Sequence, residues 1–206
     1  MATIDYEVHP LFAVPYFKAD VGSAISDKQI EYIKDLKVVR NQENMISENL
    51  YIFQDPELAS INTAIQDVLD IYASEVMGIK HKLYVTQSWS LINSPSVGMH
   101  GHSHSNSLIS GSLYYCDMPD PVSNMIFERH NSYQQLELTP QADKRNIFNT
   151  LANVVTPEKN KVILFPSSLQ HLVEVNNSGE PRFSIAFNCF IKGQLGNYRD
   201  VSELSL

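Results

Sequence analysis

The residue types that could do chemistry concentrate in residues 94–116, where three of the seven histidines, His100, His102 and His104, stand at alternate positions. In an extended backbone alternate side chains share one face, so two neighbours of this trio can reach a single metal ion. The spacing admits His100 with His102 as readily as His102 with His104. Neutral imidazole ligates iron, zinc, copper and nickel alike, so the cluster by itself selects no metal. A third ligand has to come from a distant segment. The candidate is His171, which follows the apolar run 162–165 and the break Pro166-Ser167-Ser168 and opens the next strand-like run. Glu128 and Glu174 are the acids that could assist a two-histidine site.

Arg182 and Ser184 come next, two residues apart and therefore on one face of a strand. A guanidinium presents paired donors to a carboxylate, and a hydroxyl on the same face can add a third bond. The plainer role for Arg182 is an ordinary salt bridge at a strand end.

Histidine pair, distant histidine and Arg-x-Ser resemble, in that order, the iron(II)- and 2-oxoglutarate-dependent oxygenases. There an H-x-D pair and a distal His hold iron, and an Arg binds the far carboxylate of 2-oxoglutarate. The local wording is more specific: His102-Ser103-His104-Ser105-Asn106-Ser107, Ser110-Gly111-Ser112-Leu113-Tyr114-Tyr115, Phe165-Pro166-Ser167 and Arg182-Phe183-Ser184-Ile185-Ala186-Phe187-Asn188. It is similar to a family of 2-oxoglutarate/iron oxygenases, known largely from bacterial and phage genomes, that carries H-x-H before Ser-Gly-x-x-Tyr-Tyr. The resemblance covers about residues 84–192 and, weakly, Leu11-Phe12-x-x-Pro15. It implies a metal site of His102, His104 and His171, with Fe(II), 2-oxoglutarate and O2 as cofactor, cosubstrate and oxidant. It also implies cosubstrate contacts from Arg182, Ser184, Tyr115 in preference to Tyr114, and Asn93, with no catalytic residue beyond the metal site. One departure stands out, because the wider superfamily has a carboxylate where His104 stands. The implied reaction is hydroxylation of a substrate with decarboxylation of 2-oxoglutarate to succinate and CO2. A cupin-type metal enzyme without 2-oxoglutarate, or a noncatalytic jelly-roll binding module, are the alternatives; neither requires Arg182.

The elements that must position these residues divide at about residue 80. Before it, residues 8–17 are apolar and twice broken by proline, which reads as an edge strand, with His9 structural. Ser26-Asp27-Lys28-Gln29 has the form of a capping box ahead of the stripe Ile30, Ile33 and Leu36. Residues 38–54 are polar and Asn-rich and read as a loop with a short strand near 50–53. Asp55-Pro56 starts a long amphipathic helix through Leu58, Ile61, Ile65, Val68, Leu69, Tyr72 and Val76, with Gly78 as its cap. From Lys82 onward β-branched and aromatic runs at 83–92, 107–116, 124–128, 161–165, 172–175 and 182–191 are separated by turn residues. The expected fold is α+β, a double-stranded β-helix or jelly-roll core with supporting N-terminal helices. Trp89 and Asn188 are expected to shape the site's core, and His81 and His130 to lie on the surface.

At 206 residues the chain is expected to form one domain: strand and supporting helices over 1–80, a jelly-roll core over 81–192 and a tail over 193–206. A net charge of −8 argues against a general grip on nucleic-acid phosphates. No apolar run reaches the length of a membrane span, and the first residues lack the basic and apolar regions of a signal peptide, so a cytoplasmic protein is expected. Cys116 and Cys189 lie in apolar runs and read as small buried hydrophobes rather than a disulfide. The expected partners are a small-molecule or peptide substrate and a second copy in a homodimer, with residues 129–160 as a lid or insertion that selects the substrate.

Overall fold

The computed structural model describes residues 4–129 and 139–206. Eleven strands and two helices make the body: β1 (Phe17–Asp20), α1 (Asp27–Lys34), β2 (Val38–Asn41), β3 (Asn44–Ser47), α2 (Ala59–Ile71), β4 (Lys82–Asn93), β5 (Met99–His102), β6 (Ile109–Tyr114), β7 (Met125–Glu128), β8 (Ala152–Val155), β9 (Lys161–Pro166), β10 (His171–Val173) and β11 (Arg182–Lys192). They form two antiparallel sheets, a seven-stranded one in the order β1-β9-β6-β11-β4-β3-β2 and a four-stranded one in the order β5-β10-β7-β8. This is the α+β jelly roll expected from the alternation of short apolar runs.

The helices cover the outer face of the large sheet. In α1 the Ser26 hydroxyl accepts from the Gln29 backbone N–H, and the Gln29 side-chain oxygen accepts from the Ser26 N–H at 3.0 Å, closing the capping box. Asp55 accepts from the Glu57 N–H at 3.0 Å, a single 3-10 turn (Pro56–Leu58) leads into α2, and Gly78 at φ +64° ends the helical run. Leu58, Ile61, Ile65 and Leu69 are fully buried against Leu83, Leu113, Ile185 and Phe187 of the sheet. Burying each such side chain contributes about 1.5–3 kcal/mol, which seats the helix firmly. A second cluster, Tyr114, Met125, Phe127, Val155, Ile163 and Phe165, draws on both sheets and fills the space between them.

Four expectations for the flanks are corrected. The edge strand begins only at Phe17, because Pro10 and Pro15 each remove a ladder donor; residues 4–16 form no strand. Residues 38–47 are a hairpin, not a loop, turned at Gln42 with φ 52°. Residues 50–53 make a lone bridge at Tyr51 and a 3-10 turn (Ile52–Gln54) in place of a strand. Val76 is 36% exposed, since the last turn of the helical run, Tyr72–Val76, widens into a π-helical turn and carries it off the apolar stripe. The first region also enters the core sheet directly, through β1 on β9 and β3 on β4. Cys189 is buried, Cys116 half-buried and both are free. Among the described residues no helix is long and apolar enough to cross a membrane. His130 and the middle of the expected lid fall outside the described residues.

Candidate metal and anion site

Antiparallel pairing of β5 with β10 sets His102 directly opposite His171. His104 stands two residues beyond the end of β5, where its backbone N–H donates to the Ser167 carbonyl at 2.9 Å. The three rings converge, with centroid separations of 4.4 Å (His102 to His171), 5.1 Å (His102 to His104) and 5.2 Å (His104 to His171). One ring nitrogen from each lies within 4.8 Å of the others. His100 is exposed and stays outside this group, although its ring is 5.7 Å from that of His102. The spacing left two pairs open, and the fold brings together the second.

The donor chemistry suits a metal. Nδ1 of His102 lies 2.9 Å from the His100 carbonyl, and Nδ1 of His171 lies 2.9 Å from the Leu169 carbonyl. Those contacts protonate Nδ1 and leave Nε2 as the lone-pair donor in each ring. Burial pushes the pKa of His104 down to about 4, with the neighbouring His102 adding to the effect. Burial likewise pushes His171 down to about 4, against the Leu169 hydrogen bond. Both rings are therefore neutral near pH 7, the state a ligand needs. No carboxylate joins the group among the described residues. Glu174 accepts from the Asn124 N–H and side-chain amide at 2.9 and 2.7 Å. Glu128 lies on the other side of β5, with Oε2 3.3 Å from where a Cβ on Gly101 would stand.

Arg182 opens β11, paired with Asn93 of β4, and is only 1% exposed. Its Nη1 donates to the Ser123 carbonyl at 2.9 Å, its guanidinium carbon stands 5.6 Å from the Tyr114 ring centroid, and Nε has no partner. Among the described residues no acid pairs with it, and burial lowers its pKa. Ser184 Oγ, Tyr114 Oη and Asn93 Oδ1 are also buried without partners. Asn93 spends its amide N–H on Asn44. A buried cation beside two unpartnered hydroxyls is costly as it stands and is complete with an anion present, whereas Asn93 Oδ1, an acceptor, gains nothing from one.

A cavity of about 290 Å³ joins the two parts, lined by Trp89, Leu91, Met99, Met125, Phe165 and Val173 between the histidines and Arg182. Asn41 and Gln42, at the tip of the β2–β3 hairpin, reach its rim. The 174–181 connection, which carries the chain from His171's strand to Arg182's, is pinned by Asn176. Its side-chain amide donates to the Asn93 and Glu180 carbonyls at 3.0 and 2.9 Å, and its Oδ1 accepts from the Ser178 hydroxyl at 2.6 Å.

The expectation for Tyr115 is corrected. Ser110, Ser112 and Tyr114 share the inner face of β6, while Ile109, Leu113 and Tyr115 belong to the cluster under the helices. Tyr115 thus lies on the far side of the sheet from Arg182, with burial raising its pKa and Ser90 as polar neighbour. Counting in twos from Ser110 selects Tyr114, a parity signal that the sequence already contained. The hairpin residues Asn41 and Gln42 were missed because Gln at a positive φ carries no turn signature. Trp89 lines the cavity, its ring 6.4 Å from that of His104. His9 is exposed and pairs with Glu7 at 2.7 Å, while half-buried His81 contacts the Gln194 carbonyl at 2.7 Å.

Fold and site together define a double-stranded β-helix protein in which three imidazoles placed to hold a metal share a cavity with a buried arginine. A family model described as "Putative 2OG-Fe(II) oxygenase" matches residues 87–188, from β4 through the Arg182 strand, so over that stretch the chain is similar to this family. No curated protein matches the sequence. Among solved structures, an oxidoreductase of the 2OG-Fe(II) oxygenase family from Burkholderia pseudomallei is similar with a TM-score of 0.60 and 10% identity, over 84% of this chain and 83% of that one. HygX from Streptomyces hygroscopicus, determined with nickel and 2-oxoglutarate bound, is similar with a TM-score of 0.58 and 12% identity, over 85% and 82%. A Pseudomonas putida prolyl-4-hydroxylase gives a TM-score of 0.56 and 13% identity, over 85% and 92%. At these identities the structural likeness speaks for the fold.

Proposed function

We propose that this protein is an Fe(II)- and 2-oxoglutarate-dependent dioxygenase, with His102, His104 and His171 as metal ligands and Arg182 as anchor of the cosubstrate's far carboxylate. The observation that carries this reading is Arg182 itself, a buried guanidinium with an unpartnered Nε, no acid paired with it among the described residues, and a cavity leading to the three histidines. Iron held there would supply oxygen activation, coupling decarboxylation of 2-oxoglutarate to succinate and CO2 with hydroxylation of a substrate C–H bond. The chain's own work is orientation. Arg182 and the Ser184 and Tyr114 hydroxyls donate to the distal carboxylate, and the apolar wall of Leu91, Met125, Phe165 and Val173 keeps water from the keto-acid end. The His102 and His171 rings are held in one tautomer by the backbone carbonyls behind them.

A metal enzyme that works without 2-oxoglutarate would have no use for Arg182. The deciding experiment is anaerobic titration of the Fe(II)-loaded protein with 2-oxoglutarate. A visible metal-to-ligand charge-transfer band, followed by succinate release on admitting O2, is expected. Iron binding with no band at any 2-oxoglutarate concentration would remove the cosubstrate assignment.

A further inference from the structure

The recurrent serines of the histidine segment are not explained by ligation or anion binding, yet two of them, Ser107 and Ser110, meet Ser167 and Asn188 in one network. Ser167 is its hub. Its hydroxyl lies 2.7 Å from the Ser107 hydroxyl and 2.8 Å from that of Ser110. Ser110 donates onward to Asn188 Oδ1 at 2.9 Å, and Ser107 contacts the Ile109 and Cys189 carbonyls at 3.0 and 3.2 Å. The Ser167 backbone is engaged as well, its carbonyl receiving the His104 N–H at 2.9 Å and its N–H donating to the Leu108 carbonyl at 3.1 Å. Ser110 and Ser167 are each 1% exposed and Asn188 is 7% exposed.

The topology of these bonds matters more than their number. Ser107 lies three residues after His104, Ser167 four residues before His171, and Ser110 and Asn188 on β6 and β11 of the large sheet. The network therefore ties the segment bearing His102 and His104 to the turn bearing His171, and fastens both to one rigid strand pair. β10, which carries His171, is a three-residue strand, and its ladder with β5 shifts register immediately after His171. Strand pairing alone holds the ligands weakly. Serine hydroxyls have one rotatable bond and tolerate little change in separation, so a chain of them transmits position where apolar packing would not.

We propose that Ser107, Ser110, Ser167 and Asn188 form the positioning unit of the metal site, setting the histidine segment and the His171 turn at ligand spacing before any ion binds. This rests on the metal-site reading above. Its physical content is preorganisation: without the network, two segments must be ordered at the moment of binding, and affinity falls by that cost.

The test is Co(II) binding to the metal-free protein, read as an affinity and as the visible d–d spectrum, alongside the melting temperature of the metal-free state. Ser167→Ala should weaken Co(II) by roughly 10–100-fold, the range for partners behind a metal ligand, and shift the d–d bands. Ser107→Ala, at a half-buried position, should do the same in milder form, whereas Ser107→Thr, which keeps the hydroxyl, should bind like the parent. Ser88→Ala is the control: Ser88 is equally buried and accepts from the Phe53 N–H at 2.9 Å, but on the helix side of the sheet. It should lower the melting temperature and leave Co(II) binding unchanged. If Ser88→Ala weakens Co(II) as much as Ser107→Ala does, the network is only a stabiliser of the fold and the inference is wrong. Parent-like affinity and spectrum in Ser167→Ala or Ser107→Ala overturn it while the metal site stands. A parent protein that takes up no Co(II) overturns both.

Discussion

His102 and His171 are Cα partners across the β5–β10 ladder, so two of the proposed ligands, from distant parts of the sequence, are brought together by backbone pairing rather than by their side chains. The third, His104, comes from the loop beyond, and this division of labour makes the metal site sensitive to individual substitutions.

His102→Ala and His171→Ala should each abolish tight Fe(II) binding, because one of three protein ligands is lost, while His100→Ala should bind as the parent does. His104→Asp should still take up iron, since a carboxylate is a competent ligand at that place. Equilibrium dialysis against Fe(II) under anaerobic conditions reads all four. Parent-like affinity in His102→Ala would refute the ligand set.

For the anchor, Arg182→Ala should leave iron bound and weaken 2-oxoglutarate by roughly 2–5 kcal/mol, the cost of breaking a buried charge pair. Arg182→Lys should recover part, because an ammonium lacks the two-pronged geometry. Pyruvate keeps the chelating keto acid but lacks the far carboxylate. It should bind the parent poorly and lose little in either variant. Equal losses for the two keto acids would show that Arg182 acts on something else.

The two adjacent tyrosines provide an internal comparison. Tyr114→Phe removes an unpartnered hydroxyl beside Arg182 and should weaken 2-oxoglutarate by about 0.5–1.5 kcal/mol, the worth of one hydrogen bond. Tyr115→Phe, on the opposite face, should leave that affinity unchanged. Titration of both variants with 2-oxoglutarate decides, and the reverse order would restore the assignment to Tyr115.

Gly111 is required by packing. A Cβ there would stand 2.3 Å from Phe187 Cζ and 2.8 Å from Leu164 Cδ2. Gly111→Ala should therefore destabilise the protein by about 1–3 kcal/mol through overpacking, measured by denaturant unfolding. A Gly111→Ala, Phe187→Leu double variant should regain part of the loss.

Acid should weaken the metal-free fold. His104 and His171 have pKa values of about 4 when folded, against about 6.5 in an unfolded chain. The unfolded state thus takes up protons first, and stability is lost as pH falls from about 6.5 towards 4. Carboxylates such as Asp55, held low by Tyr32 and the Glu57 N–H, enter only as pH falls through their ordinary range and below it. Between pH 6.5 and 5 the melting temperature should therefore fall less steeply in His171→Gln than in the parent. Parallel curves would mean that the rings are not buried as neutral bases.

Much of this was legible in the sequence, because helices and ladders follow periodicity. The Ser26 capping box, the Leu58–Ile61–Ile65–Leu69 stripe and the runs that became β4, β6, β9 and β11 all report local preference. What was not legible depended on pairing between distant segments. Spacing alone left His100 and His104 equal as companions of His102; the resemblance favoured His104, and the fold brings its ring, not that of His100, into the group with His171. The β2–β3 hairpin at the cavity rim hides in an Asn-rich stretch that satisfies its ladder without looking apolar. Tyr115 was misassigned for want of parity, which becomes decisive only when one strand is known to have a helix on one side and a cavity on the other.

The Asn176-pinned connection between β10 and β11 has a consequence for selectivity. His171 and Arg182 sit on consecutive strands, and Asn176 fastens the chain between them to Asn93 of β4 and to Glu180. On the proposed reading, in which His171 holds the metal and Arg182 the far carboxylate, the site is expected to select a linear keto diacid by its length. Oxaloacetate, one carbon short, and 2-oxoadipate, one carbon long, should therefore each satisfy the metal or the arginine, but not both at once, and bind more weakly than 2-oxoglutarate.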